Sequence, residues 1–423
     1  MATGRKVAAA AAASGHSSFM RRFAPSIARV GLSLTLICLA LNLVLLAAGL
    51  LAPRSVRAED RVTVRGNYYR ETSTRVMQPM VHFRKELPDE RFAVEAEYLL
   101  DVISSASIAS GSLILGGDKV FNEMRHETTL AANSKVQDWT SSVFYRYSTE
   151  TDYTAHNFGF SVSRSFLRET GTLSLSYSTN LARVYRITNN IGARSPWKSH
   201  GDTNQLQVHY LALGYSHVLT KTLVGGVSVE GTYSMGPQDN PYRRARNGAP
   251  EIHPWIRRRV APMLWALWSI PRAKLVVEPR YRFHGDDWGV VAHAADLRLH
   301  FRPVPTLHLR LRYRFYTQTE AKFWRDDGVW DVEYPYRSDD PKMDDFHSHT
   351  VGGQIVWELD GIAKFPGLRW LAGAWIQATY NHDFVRCRDL SSTCNDRSYR
   401  YGTVRTTRYG DARIGDLSFS IPF

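Results

Sequence analysis

Long apolar runs are almost missing from this chain of 423 residues. Only Val30–Leu51 is long enough to cross a bilayer as a helix, and no second such span follows. A helical membrane protein with several spans is thereby excluded. Cysteine is scarce, at three residues, and no Cys/His cluster is present. There is no Gly-x-Ser-x-Gly elbow, no phosphate loop, no heptad repeat and no low-complexity linker after the amino-terminal region. A concentrated basic face is also missing, which excludes nucleic acid as the partner. The charge of +13 is inflated by the first 58 residues, which hold seven Lys/Arg and no Asp/Glu. Beyond them stand 46 basic and 40 acidic groups, a balance of +6.

What the chain does contain begins with an export signal. Arg5, Lys6, Arg21, Arg22 and Arg29 precede the apolar run, and Val56-Arg57-Ala58 offers a small-residue cleavage site. Residues 1–58 are therefore expected to be a signal peptide with a long basic head, with Met20 as a second candidate start. An uncleaved anchor is the alternative, because the run can span a bilayer. Cys38 lies beside Leu39, without the small residues of a lipoprotein cleavage site. Residues 59–423 are expected to form one domain.

That domain is rich in aromatics, 12% of the sequence, at a mean hydropathy of only −0.31. Such values fit a barrel, in which only alternate residues meet lipid. From residue 61 onward about sixteen strand-like segments are predicted, each of the roughly 9–11 residues that a tilted membrane strand needs, or longer. They lie near 61–70, 74–86, 91–103, 121–132, 137–149, 154–168, 172–187, 203–218, 222–234, 254–270, 273–284, 290–302, 306–318, 347–359, 368–382 and 411–423. Alternate connectors are short: Leu87-Pro88-Asp89, Asn133-Ser134-Lys135, Glu169-Thr170-Gly171, Thr220-Lys221, Pro271-Arg272, Pro303-Val304-Pro305 and 361–367. The connectors between them are mostly long and polar, at 104–120, 188–202, 235–253, 319–346 and 383–410. Those near Thr72 and at Gly285-Asp286-Asp287 are brief.

Parity tells inside from outside. In 306–318, Leu307, Leu309, Leu311, Tyr313 and Phe315 share one face; His308, Arg310, Arg312 and Arg314 share the other. In 290–302, His293 interrupts the apolar set Ala295, Leu297, Leu299 and Phe301. The last stretch alternates likewise. Leu417, Phe419, Ile421 and Phe423 oppose Asp416, Ser418 and Ser420, and this aromatic ending resembles the terminal strand read by the barrel-assembly machinery. The fold class expected is all-β, a closed antiparallel transmembrane β-barrel of about sixteen strands in the bacterial outer membrane.

Two stretches carry a family resemblance. Val64-Arg65-Gly66-Asn67-Tyr68-Tyr69-Arg70-Glu71 is one; Glu97-Tyr98-Leu99-Leu100-Asp101-Val102-Ile103-Ser104-Ser105-Ala106-Ser107 is the other. They resemble the bacterial outer-membrane family called domain of unknown function 3570, with its Tyr-rich first strand and Asp-x-x-Ser-x-Ala-Ser turn. Tyr334-Pro335-Tyr336-Arg337-Ser338-Asp339-Asp340 to Phe346 looks similar as well. The resemblance implies a barrel spanning nearly all of the exported chain, with no settled biochemical activity.

The candidate functional residues are lumen charges. Arg257, Arg259, Lys274, Arg280, Arg282, Arg298, Arg302, Arg310, Arg312 and Arg314 are expected on one inner wall, with Glu95, Glu97 and Asp101 inward on the third strand. Such a lining sets ion preference and orients polar solutes. One reading is a porin-like channel that passes small polar or anionic solutes. The other is a plugged barrel, held rigid by Glu278 and Asp296 pairing with these arginines, that scaffolds a periplasmic or surface partner such as an electron-transfer or lipoprotein subunit. Outer-membrane lipid is a partner in both.

Other features carry less. The loop 319–346 holds nine acidic residues among aromatics and is expected to be external and solvated, with an inward constriction or a calcium site as alternatives. His347 and His349 share a strand face without a third metal ligand in view. Ser348 lies between them, yet neighbours on a strand point oppositely, so no catalytic group assembles and no enzyme is expected. No cofactor is expected. Trp139, Tyr145, Trp265, Trp268, Trp357, Trp370 and Trp375 are assigned to lipid-facing or girdle positions. Cys387 and Cys394 are expected to pair as a disulfide across the last external loop.

Overall fold

Alternating β-formers separated by turn residues build sixteen strands that form a single antiparallel ring. A computed structural model describes residues 60–71, 74–87, 91–105, 121–187, 194–196, 198, 203–240, 250–325, 335–340, 342–387, 399–401, 404–406 and 411–423. The expected signal peptide lies outside them, as does Cys394.

The ring runs β1 (Arg61–Arg70), β2 (Thr74–Glu86), β3 (Phe92–Ser105), β4 (Phe121–Val136), β5 (Trp139–Thr149), β6 (Tyr153–Phe166), β7 (Gly171–Ile187) and β8 (Gln205–Thr220). It continues with β9 (Leu223–Met235), β10 (Ile256–Ile270), β11 (Leu275–Asp286), β12 (Val291–Val304), β13 (Leu307–Gln318), β14 (Phe346–Glu358), β15 (Trp375–Cys387) and β16 (Ala412–Pro422). Each strand pairs with its sequence neighbours, and β1 pairs with β16 over its whole length, from Arg61 opposite Pro422 to Arg70 opposite Arg413. Closure leaves no free edge, so backbone donors and acceptors are satisfied along the ring without water. Two short pieces lie outside it: Arg194–Pro196 extends the end of β7, and Tyr399–Tyr401 pairs with Val404–Thr406.

Side chains divide as a transmembrane barrel requires. Leu130, Val143, Leu173, Leu264, Leu311, Val351 and Leu417 point outward and are exposed. Most of their strand neighbours, which point inward, are polar, with Phe144, Met263 and Trp265 among the exceptions. Among the described residues, no helix is long and apolar enough to cross a membrane.

Each of the sixteen strands overlaps its expected segment, and the connectors that differ include three with a clear cause. Residues 133–135 continue β4, and the turn falls at Gln137-Asp138, because Gln137 takes the left-handed conformation (φ 53°). The β6–β7 turn uses Leu167, Arg168 and Glu169, all at positive φ. The fifteenth strand begins at Trp375, not 368. Residues 359–374 form two short 3₁₀ turns, and Gly367 and Gly373, with φ of 84° and 73°, interrupt the extended pattern.

The β2–β3, β4–β5 and similar connectors cluster at one end of the ring, the end that corresponds to the periplasmic end of outer-membrane barrels with this asymmetry. The other end corresponds to their external end. There, three loops interlock, and the described ends of the loop expected to be solvated, 319–325, 335–340 and 342–346, take part, while 326–334 lie outside the described residues. Trp288, Val290, Ala321, Phe323 and Trp324 make a small apolar core, with Tyr336 and Met343 packed on it. Trp288 Nε1 donates to the Ile256 carbonyl at 3.0 Å, and the Arg257 guanidinium sits 4.1 Å above its ring. Ile252 pairs with Arg337, and the Ser338 hydroxyl donates to the buried Glu251 carboxylate at 2.7 Å. Burying aromatics outweighs solvating the carboxylates beside them.

Candidate functional site

The period of two aims every second residue of β10–β13 into the lumen, where eight arginines meet three carboxylates, Glu278, Asp286 and Asp296. Glu278 gathers Arg280, Arg298 at 3.7 Å and His300 at 2.8 Å. Asp296 accepts from Arg298 at 3.0 Å and from Arg312 at 2.6 Å. Asp286 holds Arg257, and Glu230 of β9 reaches Arg282 at 2.7 Å. Arg259 donates to the Ser234 hydroxyl at 3.2 Å. Among the described residues, Arg310 and Arg314 form no ion pair; Arg314 lies 5.3 Å over the Tyr316 ring.

Two of the ten expected basic residues sit at the periplasmic rim. Lys274 is a left-handed turn residue (φ 51°) whose ammonium donates to the Pro303 carbonyl at 2.7 Å. Arg302 donates to the Pro305 carbonyl and lies 3.2 Å from Glu358. Of the residues of the last strand, Leu417, Phe419 and Ile421 face outward.

Strand β12 has β4 eight places away around a ring of sixteen, so the two are opposite. Strands β3 and β4 turn Glu95, Glu97, Asp101, Glu123 and Glu127 inward against a single arginine, Arg125. Arg125 pairs with Asp101, Arg84 of β2 with Glu95, and Arg146 of β5 with Glu127 at 3.3 Å. Unlike charge therefore lines opposite walls. Between them, β6–β8 present Gly159, Ser161, Ser163, Ser174, Ser176, Ser178, Gly214 and Ser216, small residues without charge.

Every ion pair among the described residues joins positions within two strands of each other around the ring; none crosses the lumen. The inward arginines differ in exposure. Arg125, Arg280, Arg146 and Arg282 keep 34%, 35%, 41% and 43% of their side-chain surface exposed, whereas Arg257, Arg298 and Arg312 keep 15%, 21% and 23%.

One grouping was not found from sequence. Glu123, Glu150 and Asp152 bring carboxylate oxygens within 4.8 Å of one another at the external end of β4–β6. The Thr151 amide donates to Glu123 at 3.0 Å. Burial first, and then Asp152, push the Glu150 carboxyl up to about 7, with Arg125 opposing. Oxygen ligands at this spacing suit a hard cation. Their signal was the inward parity of Glu123 together with the acids flanking the short β5–β6 turn. His347 and His349 face outward, and His349 bonds the Tyr313 phenol at 2.8 Å.

Two tryptophans assigned to lipid point inward. Trp265 packs its ring on Gly226, where any side chain would overlap it, and Trp375 lies under the Arg61 guanidinium, 6.0 Å from its ring centre. Gly226 on the neighbouring strand makes room for Trp265 inside, and Arg61, one strand beyond the neighbour of β15, covers Trp375. Trp139, Trp268 and Trp357 face outward as expected.

No curated protein sequence matches this chain. Solved structures similar to it include a bacterial polysaccharide outer membrane secretin, 9% identical, covering 87% of this chain and 100% of the other at a TM-score of 0.44. CdiB from Acinetobacter baumannii is 7% identical, covering 86% and 60%, at 0.46. OccK2 (OpdF) from Pseudomonas aeruginosa, in complex with glucuronate, is 9% identical, covering 86% and 97%, at 0.39. In sequence, residues 117–368 match the family described as "Protein of unknown function (DUF3570)", downstream of the Tyr-rich strand and Ser-Ala-Ser turn noted above. With more than half its length matched, the chain belongs to the DUF3570 family, as a sixteen-stranded barrel of outer-membrane type.

Proposed function

We propose that this protein is a water-filled channel of the bacterial outer membrane that passes small polar solutes and favours anions. The observation that carries this reading is the partly wet lumen: Arg125, Arg280, Arg146 and Arg282 keep a third or more of their side-chain surface exposed, and no ion pair among the described residues bridges the walls. A sixteen-stranded barrel is wide enough to leave an aqueous passage once its side chains are placed. The basic wall of β10–β13 opposite the acidic wall of β3–β4 supports a transverse field, in which a solute with separated charges is held in one orientation. Surplus arginine sets the preference for anions.

Reconstitution of the purified protein into planar bilayers tests this directly. Stepwise conductance is expected, with a reversal potential in a salt gradient on the anion-selective side. A silent bilayer overturns the channel, and cation preference overturns the anion part. Silence combined with a stoichiometric co-purifying protein supports the scaffold in its place.

A further inference from the structure

The outer face of the barrel carries a repeated pair. Tyr98 on β3 bonds His126 on β4 at 2.8 Å; Tyr145 on β5 bonds His156 on β6 at 2.9 Å; Tyr177 on β7 bonds His209 on β8 at 2.9 Å. Tyr281 on β11 bonds His293 on β12 at 2.7 Å, and Tyr313 on β13 bonds His349 on β14 at 2.8 Å. In all five the phenol meets Nδ1. All five cross an external hairpin, and all have one diagonal register.

Their height is constant. The five histidines lie opposite Leu100, Tyr147, Thr179, Phe283 and Phe315. Each of these is the eighth residue after its strand's first, Phe92, Trp139, Gly171, Leu275 and Leu307. Eight residues at about 3.3 Å each, on a strand tilted about 40°, climb roughly 20 Å. The apolar band of an outer-membrane barrel is about 25 Å tall, so the ring falls near its external edge. Tyr380 and His382 repeat the pair within β15. Tyr215 and His217 repeat it inverted on the descending β8, where His217 lies opposite Gly171 at the periplasmic edge. In every pair the imidazole is nearer the membrane surface than the phenol.

The chemistry follows from the donor order. A phenol is a stronger hydrogen-bond donor than a neutral imidazole N–H, so Tyr donates and Nδ1 accepts. The ring proton is then fixed on Nε2, the nitrogen away from the tyrosine. Inside hydrocarbon such an N–H would lack a partner at a cost of several kcal/mol. At the edge, the acceptors available are the phosphate and ester oxygens of lipid headgroups.

We propose that His126, His156, His209, His293 and His349 form a ring of Nε2–H donors that binds the phosphates of lipid headgroups at the external edge of the apolar band. This rests on the membrane location above but not on conduction, so a silent bilayer leaves it untouched. The full chain is reconstituted in nanodiscs of phosphatidylcholine doped with phosphatidic acid, then exchanged into an uncharged detergent, and retained phosphatidic acid is counted. Wild-type protein is expected to hold it selectively. Changing all five histidines to Phe should weaken retention about fivefold, roughly the effect of one or two lost hydrogen bonds. Changing all five to Gln, which restores a side-chain N–H, should recover most of it. Equal retention by the Phe variant, checked for folding by its heat-dependent gel mobility, overturns the proposal. Should that variant fail to fold, magic-angle spinning of wild-type protein decides: ¹⁵N-histidine to ³¹P contacts support the ring, and their absence overturns it.

Discussion

Replacing Arg310 and Arg314 together by Glu is expected to turn the channel from anion-selective to cation-selective. Both side chains project from β13 into the lumen, and neither is neutralised by an ion pair among the described residues. The double change moves the wall by four charges without removing the partner of any buried carboxylate. A wall of field-setting side chains controls which ion enters, and a change of this size should lower the anion-to-cation permeability ratio by about an order of magnitude. Reversal potentials in a salt gradient measure it. Arg302→Glu provides the control, because that residue sits at the rim against the Pro305 carbonyl and Glu358 and should shift the ratio far less. Unchanged selectivity in the double variant would mean that ions do not pass this wall.

Truncating Glu278 to Ala should have the largest effect on stability. Its carboxylate is 4% exposed and serves Arg280, Arg298 and His300 at once. Removing one partner from a buried ionic network leaves the others uncompensated, at a cost of about 3–5 kcal/mol where water is excluded. Here Arg280 retains 35% of its surface in the lumen, so water recovers part of that loss and about 2 kcal/mol is expected. Thermal unfolding in detergent, followed by gel mobility, should show a midpoint several degrees lower. Glu278→Gln, which keeps an acceptor oxygen, should lose less. If Ala is as stable as wild type, this network does not hold the wall.

The barrel was legible because two periods each repeat many times. Alternation within strands and the short–long order of connectors both survive local noise, and the ring closes only if both are right. Single positions fared less evenly. Arg310, Arg312 and Arg314 stood out by parity against Leu307, Leu309 and Leu311, and the structure aims them inward. Trp265 has the inward parity of Arg257 and Arg259, but its bulk and hydrophobicity pointed to lipid; only Gly226 on the next strand explains its place. His293 was visible as an interruption in an apolar row. Its partner Tyr281 belongs to another strand, and the pairing depends on a diagonal register that one strand cannot reveal. Trp288 occupies a loop of four residues that looked trivial, and its packing against Phe323 and Trp324 depends on tertiary contact alone.

The unequal lining of the ring has a geometric outcome. Arginines on β10–β13 reach several ångströms farther from the backbone than the serines and glycines of β6–β8. The clear bore is thus displaced from the cylinder axis toward the serine side, and a traveller's size limit is set by guanidinium reach rather than by strand number. Enlarging a serine there, for example Ser176, would throttle flux without altering a single charge.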